Sequence, residues 1–180
     1  PHTKKSIPEM FVRLTELVTS VKNRELRAIA DAYLHDDQLM ANLRRAPAAM
    51  TFHHAFIGGL LEHTLSLCEL ADAISKFYPL LNRDLLVVSA FIHDLGKTWE
   101  LTYAAGFGYS DGGHLVGHIA KGAVWVEEKA QQASQALGAT ISPALVNVLQ
   151  HLVLSHHGLP EHGAARTPAR RRAGARPRPA

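Results

Sequence analysis

Residues 85–97 read LLVVSAFIHDLGK. An apolar run suited to a buried helix stops on a histidine, an aspartate and a lysine. The C-terminal end of a helix carries partial negative charge, so a carboxylate is disfavoured there. Asp94 therefore needs a compensating positive partner, and a bound cation is one candidate.

Working outward from this stretch, the text is helical for most of its length. Helix-spaced apolar residues predict helices over 8–21 (Met10, Phe11, Leu14, Leu17, Val18) and 23–34 (Leu26, Ile29, Ala30, Tyr33), with a short third over 36–44. Pro47 breaks the pattern. A long helix is expected over 54–77, ended by Pro79, and a fifth over about 83–95. Residues 102–113, TYAAGFGYSDGG, hold four Gly and two Tyr and read as a loop or small hairpin. Further helices are expected over 114–137, stopped by Gly138, and from Pro143 to about 157, with Gly158 beyond. The fold class is all-α, a helical bundle with a small insertion near 102–113.

The 180 residues suit one full-sized core. No apolar run approaches the roughly 20 residues that cross a bilayer, and the start, PHTKKSIPEM, lacks the apolar block of a signal peptide. Cys68 is the single cysteine, which excludes an internal disulfide and fits a reducing cytoplasm. It falls on a helix face turned from solvent, so it is excluded as a nucleophile. The net charge of +3 hides an asymmetry. Six of the 19 Lys and Arg lie in 164–180, AARTPARRRAGARPRPA, which has no acid. The body is mildly acidic. Composition makes the tail too poor in large apolar residues to order itself. It reads either as an arm attracted to nucleic-acid phosphate or as a charged end without a role.

Most of the twelve histidines sit in short clusters. In the helix 54–77, Glu62, Glu69, Asp72 and Lys76 fall within roughly 80° at ~100° per residue and mark the wet face. His63 lies opposite, among Leu60, Leu67, Leu70, Ala71 and Ile74. In the last helix, Leu145, Leu149 and Leu152 form a stripe that His156 continues, and His157 stays within reach of a site at the helix end. His151 is placed on another side. In 114–137 the inner face is Leu115, Ile119, Gly122, Val126 and Ala133, with His118 at its border and His114 nearer solvent. One inward histidine is ordinarily a hydrogen-bonded core residue. Imidazoles from three helices, converging with His93 and Asp94, would be costly if unpaired. A divalent metal satisfies them together, and imidazole with carboxylate suits Mn, Fe, Ni or Zn.

His63 followed by His93-Asp94 resembles the signature of the HD phosphohydrolase superfamily, an all-helical metal-binding fold. The blocks HHAFIGGLLEHTLSL, YPLLNRDLLVVSAFIHDLGKTWEL, GHLVGHIAKG and VLSHHGLPEHG look like the HD domain of the YhaM-type 3′-5′ exoribonucleases. The similarity is close over 47–163. Residues 1–46 resemble, more loosely, the linking helices that follow an OB-fold domain in that group, and 164–180 stand apart as a tail. The resemblance implies that His63, His93 and Asp94 ligate a first metal. Asp94 then bridges to a second, held by His118 and by His156, His157 or both, so the centre takes one or two ions. It also implies that Lys97 steadies phosphate oxygens beside the metals. The plainer reading of Lys97 is a partner for the helix dipole.

The implied reaction is phosphodiester hydrolysis by metal-activated water, on single-stranded RNA from its 3′ end. Two alternatives stand beside it. One is hydrolysis of a small nucleotide substrate. The other is a non-catalytic metal- or nucleic-acid-binding module, because the resemblance implies a completing Asp on a later helix and the last Asp here is Asp111. Glu161 is a weak substitute. In the Gly-rich loop, Phe107 and Tyr109 are candidates for stacking on a base or for packing on the body. His53 and His54 precede the long helix and suit helix entry or the edge of the site. Self-association into a homo-oligomer is compatible with the sequence, which carries no signal for it.

Overall fold

A computed structural model describes residues 3–49, 56–103 and 108–159. In it α1 (Ile7–Thr19), α2 (Arg24–Leu34) and α3 (Asp37–Arg45) lead into α4 (Gly59–Phe77) and α5 (Arg83–Ile92). A short α6 (Lys97–Glu100), the strands β1 (Leu101–Thr102) and β2 (Gly108–Tyr109), and α7 (Asp111–Leu115) precede α8 (Gly117–Leu137) and α9 (Pro143–Ser155). The strands form an antiparallel pair with Leu101 opposite Tyr109. This is the helical bundle with a small hairpin that the sequence predicts.

Side-chain caps start most of these helices. Ser6, Asn23, Asp36, Asn82 and Ser110 each accept a backbone N–H from the first turn that follows. Leu14, Ile29, Leu43, Leu60, Val87 and Leu149 are fully buried in one core shared by α1–α5, α8 and α9. Tyr33 and Phe91 meet edge to face in it, with ring centroids 6.1 Å apart. No helix of the described residues is long and apolar enough to cross a membrane.

Several expectations need correction. The segment 114–137 is two helices, because Gly117 takes φ +75°, a left-handed conformation that ends α7 and redirects the chain into α8. Leu115, assigned to the inner face, is therefore 85 % exposed. In α4 the covered stripe is Leu60, Leu61, Thr64, Leu65 and Cys68, whereas Leu70 and Ile74 are exposed. Glu62 is not on a wet face: Thr3 donates to it at 2.6 Å and Lys5 pairs with it at 3.0 Å. In α9 the buried residues are Val146, Leu149 and Val153, one step round from the predicted stripe. His53, His54, Phe107, Glu161 and the tail lie outside the described residues.

Two contacts join elements distant in sequence. Gly96 packs on the start of α8 so closely that a Cβ there would lie 2.3 Å from the His118 carbonyl oxygen. Lys129, buried on α8, places Nζ 2.8 Å from Asp36 Oδ2 at the start of α3. Burial pushes the Asp36 carboxyl up, but the Lys129 ammonium and the Leu39 amide outweigh it and hold it below the usual range.

Gly96→Ala should therefore force the turn off α8 and lower unfolding stability by roughly 1–3 kcal/mol in urea titrations; a wild-type midpoint would refute the close packing. Asp36→Asn should cost about 2 kcal/mol at pH 7 by stranding Lys129. A depressed carboxyl stabilises above its unfolded-state value, so the deficit should shrink as pH falls through the folded value. A deficit that is constant from neutral to acid pH would contradict the ion pair.

Candidate metal centre

The end of α5 decides the site. Its last turn is fully buried at Val88, Phe91 and Ile92, so the chain must leave the helix inside the protein. His93 caps the helix and Asp94 follows in the turn, 3 % exposed. The conflict with the helix dipole is met locally by Lys97, whose Nζ donates to Asp94 Oδ2 at 2.8 Å. That pairing occupies one oxygen. Asp94 Oδ1 is buried and has no hydrogen-bond partner among the described residues.

Imidazoles from three further elements surround the carboxylate. His63 of α4 brings Nε2 to 3.5 Å from Oδ2, and His93 Nε2 lies 3.2 Å from the same oxygen. The His63 and His93 Nε2 atoms are 3.3 Å apart. On the other side, His118 at the start of α8 and His156 at the end of α9 place Nε2 at 3.5 and 3.4 Å from Oδ1. His157 is exposed, and its ring centroid is 5.2 Å from that of His118 and 4.4 Å from that of His156. Two groups result, His63–His93–Asp94 and His118–His156–His157, each with donor atoms within 4.8 Å of one another. His63, His93, Lys97, His118 and His156 thus lie around Asp94, and His157 stands beside the His118–His156 pair. His114 and His151 do not join either group.

The outer partners of the imidazoles set which ring nitrogen faces the carboxylate. His93 Nδ1 lies 2.8 Å from the Ala90 carbonyl, and His156 Nδ1 lies 2.6 Å from that of Val153. A carbonyl only accepts, so in both rings Nδ1 carries the hydrogen. His118 Nδ1 lies 2.8 Å from a carboxylate, Glu100 Oε2, and is a donor for the same reason. In the neutral rings each Nε2 then turns a lone pair inward, toward a carboxylate that also offers only lone pairs. The Nε2 atoms of His118 and His156 are buried and without a hydrogen-bond partner among the described residues. Converging lone pairs with no hydrogen between them repel, and a divalent cation converts the repulsion to coordination. The residues therefore fit a metal of the class that takes nitrogen and oxygen donors.

Burial alone would raise the Asp94 carboxyl. The Lys97 ammonium, and the His156 and His93 imidazoles when they carry a proton on Nε2, outweigh burial and hold it well below the usual carboxylate range. The His157 imidazole is held below its ordinary value, first by the desolvation of its partly covered ring and then by His156 and His118 beside it. A neutral ring and an ionised acid are the forms that ligate. Burial pushes the Cys68 thiol up to about 12, so it stays protonated and inert.

The centre opens into a groove of about 790 Å³ that also touches Leu67, Leu70, Ala71, Ile74, Leu86 and Leu152. This explains the exposed apolar face of α4: helical periodicity identifies an apolar stripe but does not say whether a helix or an open channel faces it. Sequence reading assigns nothing to Glu100, which is 8 % exposed and accepts from both the Nδ1 and the backbone N–H of His118, the latter at 3.0 Å. The signal available was its place at the end of the HDLGKTWE block, six residues after Asp94.

Known proteins resemble this chain over most of its length. The chain is 39% identical over 165 residues to the 3′-5′ exoribonuclease YhaM of Listeria welshimeri, covering 92% of this chain and 50% of that protein. It is 36% identical over 160 residues to the protein of the same name from Bacillus subtilis, covering 89% and 48%. The chain thus spans about half the length of the curated relatives it matches. No solved structure matches it significantly. The model of the HD domain matches residues 60–179, which contain Asp94 and its four imidazole neighbours, and on that match the chain belongs to the HD domain family.

Proposed function

We propose that this chain is the hydrolytic HD domain of a metal-dependent phosphodiesterase that shortens single-stranded RNA from its 3′ end. The observation that carries the reading is Asp94, whose two oxygens face separate histidine groups contributed by four parts of the chain. The names borne by the relatives support RNA as the substrate. Divalent ions held there would supply Lewis acidity and a nucleophilic water at neutral pH. Mn, Fe, Ni and Zn all suit the donors.

The chain's own residues account for the rest. Asp94, fixed by Lys97, joins the two groups and keeps them at one spacing. Lys97 Nζ, on the groove side of Asp94, offers a point charge to a non-bridging phosphate oxygen. The apolar walls of the groove exclude water from one side of the phosphate and suit a sugar and base better than a second phosphate.

One observation favours a second reading. Among the described residues no further carboxylate joins His63, His93 and Asp94. A module that binds metal or RNA without turnover would need none.

With Mn²⁺ present, the purified chain should shorten a 5′-labelled oligoribonucleotide, and a chelator should stop it. His93→Ala combined with Asp94→Ala should lower the rate by about 10³-fold or more, equivalent to several kcal/mol of lost charge stabilisation. Undiminished cleavage by that variant would overturn the proposal. Turnover of mononucleotides alone would move the substrate to small nucleotides, and a metal-replete but inactive chain would favour the binding module.

A further inference from the structure

His93 and His156 rest their Nδ1 atoms on neutral backbone carbonyls, whereas His118 rests its own on a charged carboxylate. We propose that Glu100 is a positioning residue of the second half of the centre: it fixes the tautomer of His118 and strengthens His118, His156 and His157 as a metal site, without touching the ion. The inference rests on reading those three residues as ligands.

Glu100 is held from several directions. Its backbone N–H donates to the Gly96 carbonyl at 3.0 Å, and its own carbonyl accepts from the Ser110 amide at 2.8 Å. Ser110 Oγ in turn donates to the Trp99 carbonyl at 3.0 Å and accepts from the Gly113 amide at 2.9 Å. The end of α6 is therefore lashed to the start of α7. With its backbone fixed, Glu100 aims Oε2 at His118 Nδ1 and Oε1 at the His118 amide, 2.8 and 3.0 Å away. Both partners are donors and both Glu100 oxygens accept, so the pairing has one solution. It leaves His118 Nε2 as a lone pair directed at Asp94 Oδ1.

A carboxylate behind an imidazole raises its basicity and fixes its ring plane, and loss of such a partner weakens metal binding by roughly 10–100-fold. A carbonyl partner does so less, because it carries no net charge. Of these three rings, His93 in the first half rests on the Ala90 carbonyl and His156 in the second on that of Val153, whereas His118 in the second rests on an acid. The plainer role for Glu100, a cap on the first turn of α8, predicts lost stability but no change specific to one ion.

Glu100→Gln separates these roles while preserving shape. Either orientation of the amide sets an N–H₂ group against one of the two N–H donors of His118. Where it faces the ring, the hydrogen is driven to Nε2 and the lone pair is lost from the centre. Mn²⁺ titrations, with elemental analysis of the dialysed protein, should show the second ion weakened about 10–100-fold in the variant and the first little changed. Equal loss of both ions, or of neither, would overturn the inference. A readout needing no variant is long-range ¹H–¹⁵N NMR of the metal-free wild-type chain. It should show hydrogen on Nδ1 and a bare Nε2 in His118, and hydrogen on Nε2 would overturn the inference even if the variant does not fold. A wild-type chain that binds no metal, with the expected tautomer, would instead fail the ligand reading itself.

Discussion

A buried carboxylate, with one oxygen that no hydrogen-bond donor among the described residues meets, constrains the rest of this molecule. Asp94 can be tolerated at the end of an apolar helix only if positive charge meets it there. Lys97 supplies one charge at 2.8 Å. The imidazoles of His93, His118 and His156 cannot supply a second while neutral, because their hydrogens are committed to carbonyls and to Glu100. Four groups that only accept are thus brought together on purpose-built supports. A cation is the one common partner that satisfies all of them.

The architecture follows from holding these groups still. His63 comes from the second turn of α4, His93 from the cap of α5, His118 from the first turn of α8, and His156 from the cap of α9. Helix ends are where side chains reach a common point without backbone obstruction. Close packing keeps the ends in register: Gly96 lies against the His118 carbonyl, and the core under α5 is filled by Val87, Val88 and Phe91. An ångström of drift in any of these helices would separate the donors.

Much of this was legible in the sequence, for identifiable reasons. His63 and His156 stand on apolar stripes, and the abrupt end of LLVVSAFIHDLGK exposes the conflict at Asp94. Helix caps and prolines placed most element ends within a few residues. What escaped had no periodic signature. Glu100 is an acid on a one-turn helix and looks like solvated surface until its contacts with His118 are known. The break at Gly117 sits inside an apparently continuous helical pattern and depends on a positive φ. The open groove along α4 reads as core, because Leu70 and Ile74 carry the same spacing whether a neighbour covers them or not.

The central claim is that Asp94 and its imidazoles share inorganic ions, and diffraction tests it most directly. Crystals of the chain soaked in Mn²⁺ should show anomalous density touching His63 Nε2, His93 Nε2 and Asp94. A second peak should lie between Asp94 Oδ1 and the His118–His156 pair. Saturated crystals in which Asp94 contacts Lys97 alone, with any metal confined to the surface, would contradict the account.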